Sequence, residues 1–356
     1  MRNVFVTFLM FSALSSQAQI RNEHVYDYPE RNKGYTRTNL ELPEVGGYKT
    51  LTGDFHIHTV FSDGKVWPDV RVSEAWRDGL DVIAITDHLE YRPHQKTVIA
   101  DMNESYKIAA KKGEELGILV IPGAEITRSK PIGHINALFI NDANPLLQED
   151  AEVAMEEARK QDAVMMFNHP GWPDNHFVMS DILRKWFGEK RFDAVEVYGW
   201  LSLYPNSIDL SLERGMAFMS NSDIHDPVAD RYGLGRGARP MTILFCNEHN
   251  AAGVRDAIKT QRTIAYFNDT FAGREEWLSK FVKASLKVKA VNSGKNLYEI
   301  KNSTGLPFEI GIGNDMYVVA PFSTVRLKMK PDAVIDLKNC FVARGETLKL
   351  PATAWK

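Results

Sequence analysis

Six of the ten histidines stand in short clusters with acidic residues at ligand-like spacings, each cluster lying at the end of a hydrophobic run. The clusters read Asp54-Phe55-His56-Ile57-His58 followed by Ser62-Asp63-Gly64; Thr86-Asp87-His88; Gly123-Ala124-Glu125; Gly133-His134; Asn168-His169-Pro170; and Ser222-Asp223-Ile224-His225. Imidazole and carboxylate together suit zinc, manganese and iron. His56 and His58 alternate, so on an extended strand both rings point to one face and could grip one ion from one side. A pair does not hold an ion tightly, because three or four protein ligands are needed. The other donors must therefore come from distant parts of the chain. A lone His-x-His is more often surface or hydrogen-bonded histidine, but six ordered clusters are hard to explain that way. Nine candidates result: His56, His58, Asp63, His88, Glu125, His134, His169, Asp223 and His225. They are too many for one ion, and a carboxylate such as Glu125 can bridge two, so the count favours a multi-metal site.

Elements that could gather these donors are visible around them. His88 follows the apolar run from Asp81 to Ile85, Glu125 follows Gly117 to Ile121, and His134 precedes Ala137 to Ile140. His169 follows Ala163 to Phe167, and Asp223 with His225 follows Met216 to Ser220. Between the runs, helical apolar spacing marks Val70 to Asp78, Val98 to Leu116, Asp150 to Lys160, Asp181 to Phe187 and Ser207 to Arg214. Alternating strands and helices predict an α/β fold with a mainly parallel sheet, in open or barrel form. In a barrel the strand ends converge on one mouth, which would bring together donors spread over about 170 positions.

The motifs HIH with SDG, TDH, GAE, GH, NHP and SDIH, in that order, resemble the PHP family, the polymerase and histidinol phosphatase-type metal-dependent phosphoesterases, over roughly Gly53 to Asn268. That resemblance implies a distorted seven-stranded β/α barrel binding up to three ions, so two or three divalent metal ions (Zn, Mn or Fe) are expected. It implies one ion on His56, His58, Glu125 and Asp223, a second on Glu125, His134 and His169, and a third on Asp63, His88 and His225. The stretches AWRDGLDVIAITDHLEYRPH, IPGAEITRSKPIGHINALF, NHPGW and SNSDIHDP, with RPMTILF downstream, are similar to the secreted phosphodiesterase branch of the family. This narrower likeness implies phosphodiester hydrolysis. Water bridging two such ions drops from a pKa of ~15.7 toward ~7, and the resulting hydroxide can attack phosphorus. Glu125 and Asp223 are then the central catalytic carboxylates. Arg128 and Lys130 could reach a phosphate, although a solvated charged loop explains them equally well. Asp87 is a candidate for orienting a ligand histidine. Arg92, His94, His176, Tyr198 and Arg231 are weaker candidates on other loops, and Trp172 with His94 and His176 reads as pocket rim or packing. A phosphomonoesterase acting on a small metabolite or nucleotide and a non-catalytic metal-binding module are the alternatives.

The first residues form a separate device. Arg2, the apolar run Val4 to Leu14 and the small-x-small pattern Ser16-Gln17-Ala18 predict a signal peptide over 1–18 and export to a periplasm. The run is shorter than the ~20 apolar residues of a membrane span, so no membrane attachment is expected after cleavage. A polar lead-in follows over 19–47. The barrel is expected over 48–283. Beyond it, alternation in Ala284 to Val291, Leu297 to Ile300, Phe308 to Ile312 and Val325 to Met329 predicts a small β-sandwich over 284–356 that contains no histidine. The formal net charge is −3 with no basic tract, which argues against long nucleic acid as a partner and leaves a small-molecule phosphate ester. Cys246 and Cys340 fall in different predicted domains and read as two ordinary buried thiols.

Overall fold

The structure, a computed structural model, describes residues 36–233, 237 and 239–355, so the expected signal peptide and the first part of the lead-in lie outside the described residues. From Arg37 onward the chain forms one unit. Strand β1 (Lys49–Asp54) is followed by α1 (Pro68–Asp78), β2 (Val82–Ile85), α2 (Glu104–Leu116), β3 (Leu119–Ile126), β4 (Ile135–Leu138), α3 (Ala151–Lys160), β5 (Val164–Phe167) and α4 (Asp181–Gly188). Next come β6 (Ala194–Gly199), β7 (Ser202–Leu203), α5 (Pro205–Arg214), β8 (Ala217–Asn221), α6 (Val228–Tyr232), β9 (Met241–Cys246), α7 (Ala251–Lys259), β10 (Thr263–Phe267), β11 (Thr270–Gly273) and α8 (Glu275–Ser285). After α8 come the strands β12 (Leu286–Asn292), β13 (Leu297–Asn302), β14 (Phe308–Ile312), β15 (Asp315–Val319), β16 (Thr324–Lys328), β17 (Val334–Ala343) and β18 (Glu346–Pro351).

Local chemistry sets the helix ends. Proline occupies the first turn of α1 and α5, where its missing N–H costs nothing. Asp150, Ser180 and Asn250 cap α3, α4 and α7 by accepting backbone N–H bonds. Gly79 ends α1 at φ 89°, and a β-carbon there would come within 2.7 Å of the Thr38 carbonyl oxygen, so both conformation and close approach require glycine. Through that approach the 37–47 segment is moored: Arg37 donates to the carbonyls of Gly79 and Leu80 and pairs with Asp81.

The sheet is mixed rather than mainly parallel. β1, β2 and β3 are parallel neighbours, as are β5, β6 and β8, but β4 runs antiparallel between β3 and β5. The link between β3 and β4, residues 127–134, is too short for the crossover that a parallel partner would need. On the other side of β1 the chain adds β9, β10 and β11, each antiparallel to its neighbour. Asn268 and Asp269, both at positive φ, make the two-residue turn between β10 and β11. β8 meets β9 and β10 through hydroxyls: Ser220 N donates to Thr242 Oγ1 at 2.9 Å and Phe218 N to Thr263 Oγ1 at 3.0 Å.

The expected C-terminal strands form, but they divide. β12, β13 and β16 make a separate three-stranded sheet, whereas β14, β15, β17 and β18 continue the large one, because β17 pairs in parallel with β11. Phe271 on β11 stacks on Phe308 of β14 with centroids 5.3 Å apart, inside a core that also holds Phe281. Cys246 and Cys340 are free and buried. Among the described residues no helix is long and apolar enough to cross a membrane.

Candidate metal centre

All nine predicted donors come together. His56 and His58 leave the end of β1, His88 follows β2, Glu125 lies near the end of β3, and His134 immediately precedes β4. His169 follows β5, and Asp223 with His225 follow β8. Loops at the C-terminal ends of parallel strands are where such folds gather side chains. Asp63 arrives on the loop after β1, held in place because Gly64 packs on the chain: a β-carbon at Gly64 would lie 2.7 Å from the Thr59 nitrogen.

Glu125 is at the centre. Its Oε1 lies 3.2 Å from His56 Nε2, 3.1 Å from His134 Nδ1 and 3.6 Å from His169 Nε2; its Oε2 lies 2.6 Å from His88 Nδ1 and 3.5 Å from His58 Nε2. Asp223 Oδ1 reaches His58 Nε2 at 3.0 Å and His56 Nε2 at 3.2 Å. Asp63 Oδ1 reaches His225 Nε2 at 3.1 Å and His88 Nε2 at 3.6 Å. Donor atoms within 4.8 Å of one another group as His58, Asp63, His88 and His225; His56, His58 and Glu125; His56, His169 and Asp223; and His88, Glu125 and His134. His56, His58 and Glu125 fall inside the first set that the resemblance implies, and Asp63, His88 and His225 make up the third with His58 added, whereas the other two groups mix the sets. Despite these close approaches, His56 Nε2, His58 Nε2, Asp63 Oδ1 and Glu125 Oε2 are buried and make no hydrogen bond. Burying a polar atom unpaired is costly, and one at the focus of imidazoles and carboxylates fits a cation.

Charge within the cluster is uneven. Burial lowers the His58 ring to about 3, with the His88 and His225 rings adding to the shift, so His58 is neutral at pH 7. Burial pulls His88 down too, but the Glu125 and Asp63 carboxylates outweigh it and raise the ring from 6.5 to about 9. His56 is likewise raised, against the effect of burial, by Asp223, Glu125 and Glu196. Against burial, imidazoles hold Glu125 well below the usual carboxylate range. A cation must therefore displace protons that the metal-free site holds. Titration calorimetry of the metal-free protein with Mn²⁺ at pH 7 should show proton release, read as a heat that varies with the buffer's ionisation enthalpy, and affinity should rise with pH up to about 9. A buffer-independent heat would contradict this. In the metal-free fold the same raised His88 value is stabilising below pH 6.5, and that stabilisation is lost as pH climbs through about 9.

Polar side chains behind the donors fix their orientation. Glu196, wholly buried on β6, meets His56 Nδ1 at 2.9 Å and accepts from His169 N at 2.7 Å and Asn221 Nδ2 at 3.0 Å. A carboxylate on Nδ1 turns Nε2 toward the cavity. Asn168 donates to Glu125 Oε1 and to Asn136 Oδ1, both at 2.8 Å. Arg71, buried on α1, ties two ligand loops together by donating to the carbonyls of His58, Ile224, His225 and Asp226 while pairing with Glu74 at 2.9 Å. None of Glu196, Asn136 and Arg71 was a sequence candidate. Glu196 and Asn136 carried a signal, a lone polar residue inside an apolar strand; Arg71 on an amphipathic helix carried none. Glu196→Gln should weaken metal binding by about 10–100-fold, measured by competition with a chromophoric chelator, while leaving the circular dichroism spectrum in place.

Other candidates lie elsewhere. Asp87 accepts from Thr59 N, Thr59 Oγ1 and Ser62 Oγ, each at 2.7 Å, so it braces the loop after β1. Arg128 lines the cavity but pairs with Glu90, and Lys130 pairs with Asp174. Arg92 bonds the Phe61 and Ala100 carbonyls. Arg231 pairs with Asp226 and lies over the Trp200 ring. Tyr198 is buried and accepts from Thr270, while His94 and His176 are exposed. Asp223 at φ 49° and His169 at φ 24° sit in backbone conformations that L-residues rarely adopt, the kind of strain that gathers at functional sites.

The donors open into a cavity of about 730 Å³ whose wall includes Tyr91, Trp172, Trp200, Ser202 and Tyr204. A family match and one solved structure agree with this geometry. The PHP domain matches residues 54–200. A two-domain protein from Bacteroides vulgatus containing a predicted PHP-like metal-dependent phosphoesterase is 35% identical, with 89% of this chain and 99% of that chain covered at a TM-score of 0.84. A proposed metal-dependent phosphoesterase from Bifidobacterium adolescentis overlaps 58% of this chain and 94% of its own at 16% identity and a TM-score of 0.42. An amidohydrolase from Chromobacterium violaceum overlaps 50% and 89% at 16% identity and a TM-score of 0.39. Among the curated proteins there is no match.

Proposed function

This chain belongs to the PHP-domain family, and from that premise we propose that it is a metal-dependent phosphoesterase that hydrolyses phosphodiesters. One observation carries the reading: nine imidazoles and carboxylates cluster, six of them lining one cavity, and four of their buried atoms make no hydrogen bond. Divalent ions held by these nine donors would neutralise phosphoryl charge and make water a nucleophile near neutral pH. The protein's own side chains would orient the donors through Glu196 and Asn168. Tyr91, Trp172 and Trp200 would limit water around the bound ester. The Tyr204 phenol also lines the cavity; burial, Glu196 and Asp223 hold it protonated, so it can donate a hydrogen bond to a phosphoryl oxygen.

The preference for diesters is supported by charge. Among the described residues lining this cavity Arg128 is the one lysine or arginine, and its guanidinium is already engaged by Glu90. A terminal phosphate monoester brings a second negative charge that such a wall leaves unmatched. The test is protein loaded with Mn²⁺ or Zn²⁺ and offered bis(4-nitrophenyl) phosphate and 4-nitrophenyl phosphate. Faster diester cleavage is expected. Faster monoester cleavage would reverse the substrate preference, and cleavage of neither across a broad ester panel would leave a metal-binding module. Export through residues 1–18 completes the proposal, supported by the Arg2, Val4 to Leu14 and Ser16-Gln17-Ala18 pattern. The secreted chain should begin at Gln19 by intact mass; retention of Met1 would contradict cleavage.

A further inference from the structure

A second cavity, of about 460 Å³, lies beside the donor cavity. The two share Arg128, Ser129, His134, His169 and Trp172 as walls, so two donor imidazoles and an indole stand at their junction. The lining changes in kind across it. Ile132, Phe167, Phe177, Val178 and Leu183 make the second chamber apolar. Phe167 on β5 and Leu183 on α4 are buried parts of the scaffold, whereas Ile132 and Phe177 stand half-buried on loops. The Trp172 ring lies 5.0 Å from His134 and 5.7 Å from His169, centroid to centroid, and the residue is 54% exposed. Polar groups at the outer end are occupied with one another: Lys130 Nζ pairs with Asp174 and donates to the His176 carbonyl at 2.8 Å. That strap ties the loop before β4 to the loop after β5 and leaves no unpaired charge from Lys130 for a ligand.

An apolar hollow of this size, continuous with a polar reaction centre, matches the general make-up of a ligand pocket, in which a few polar groups fix one end and apolar walls take the rest. We propose that the second chamber is a substrate subsite that takes an aromatic or branched-alkyl arm of the phosphate ester whose phosphoryl group binds at the donors; this rests on the phosphoesterase reading. The ester oxygen would pass between the His134 and His169 rings and Trp172, with the arm against Phe167, Phe177 and Leu183. A diester with two small groups would leave these walls wet and would bind less tightly, since apolar surface gains from being removed from water.

Two monoanions with the same charged head separate the arm from the head. Benzyl methylphosphonate and ethyl methylphosphonate are titrated into the Mn²⁺-loaded protein by calorimetry. Benzyl should bind at least ~10-fold more tightly than ethyl, in line with hydrophobic-pocket discrimination. Phe177→Asp should bring the ratio of the two Kd values close to one. Val178→Asp, at a position 68% exposed and so tolerant of a charge, should lower the ratio as well and keeps the test open if Phe177→Asp does not fold. A wild-type ratio near one, or a ratio that neither folded variant alters, overturns the subsite. Bis(4-nitrophenyl) phosphate cleavage is followed in parallel. A ratio near one with cleavage intact removes the chamber alone, whereas a large ratio that the variants abolish, without any ester cleavage, supports the chamber and removes the assigned chemistry.

Discussion

Glu125→Gln is expected to lower kcat/KM for a phosphodiester by on the order of 10³-fold, the scale on which electrostatic stabilisation at a reaction centre operates, and to reduce bound metal. The substitution keeps the side chain's size and one carbonyl oxygen, so packing on β3 is retained. What it removes is the negative charge that faces His56, His88, His134 and His169 from one oxygen or the other. It also places an amide N–H donor where an acceptor is needed. A carboxylate held in its charged form by surrounding imidazoles is suited to more than one cation at once, and an amide is not. Metal content by plasma mass spectrometry and the diester assay, done on the same preparation, check this. Full metal content with activity within tenfold of the parent would remove Glu125 from the centre of the site.

Arg71→Met is the second large effect. The methionine preserves much of the buried volume but strips hydrogen bonds from the carbonyls of His58, Ile224, His225 and Asp226 and leaves Glu74 without its cation. Breaking a buried pair by removing one partner costs about 3–5 kcal/mol. The expected results are a lower urea midpoint and weaker metal binding, because the segments bearing His58 and His225 lose their common anchor. A stability loss under 1 kcal/mol would mean that the carbonyls find other donors.

What could be seen in the sequence follows the strength of the local signal. His56, His58, Glu125 and Asp223 were legible because metal-ligating types recur at strand ends, where apolar runs make the position of the end plain. The antiparallel course of β4 was not, since a short buried strand has the same apolar pattern in either direction and direction depends on the 127–134 link. Asp87 was expected to turn a ligand histidine, but it serves Thr59 and Ser62, while Glu196, far away in sequence, holds His56. Adjacency along a chain says little about which carboxylate meets which ring once strands pack side by side. Arg128 and Lys130 showed their charge in the sequence but not their partners, Glu90 and Asp174, which only the folded loops supply.

The parallel pairing of β11 with β17 bears on how this protein can be taken apart. Phe271 and Ala272 lie opposite Cys340 and Phe341, and Phe271 stacks on Phe308, so the histidine-free C-terminal strands cover a flank of the sheet that carries the donors. Truncation near Ser285 would bare a hydrogen-bonding margin next to aromatic side chains, an open template for self-association. Shortened versions should be sticky and prone to precipitate, and the C-terminal strands are best regarded as a built-in cover for the polypeptide that precedes them.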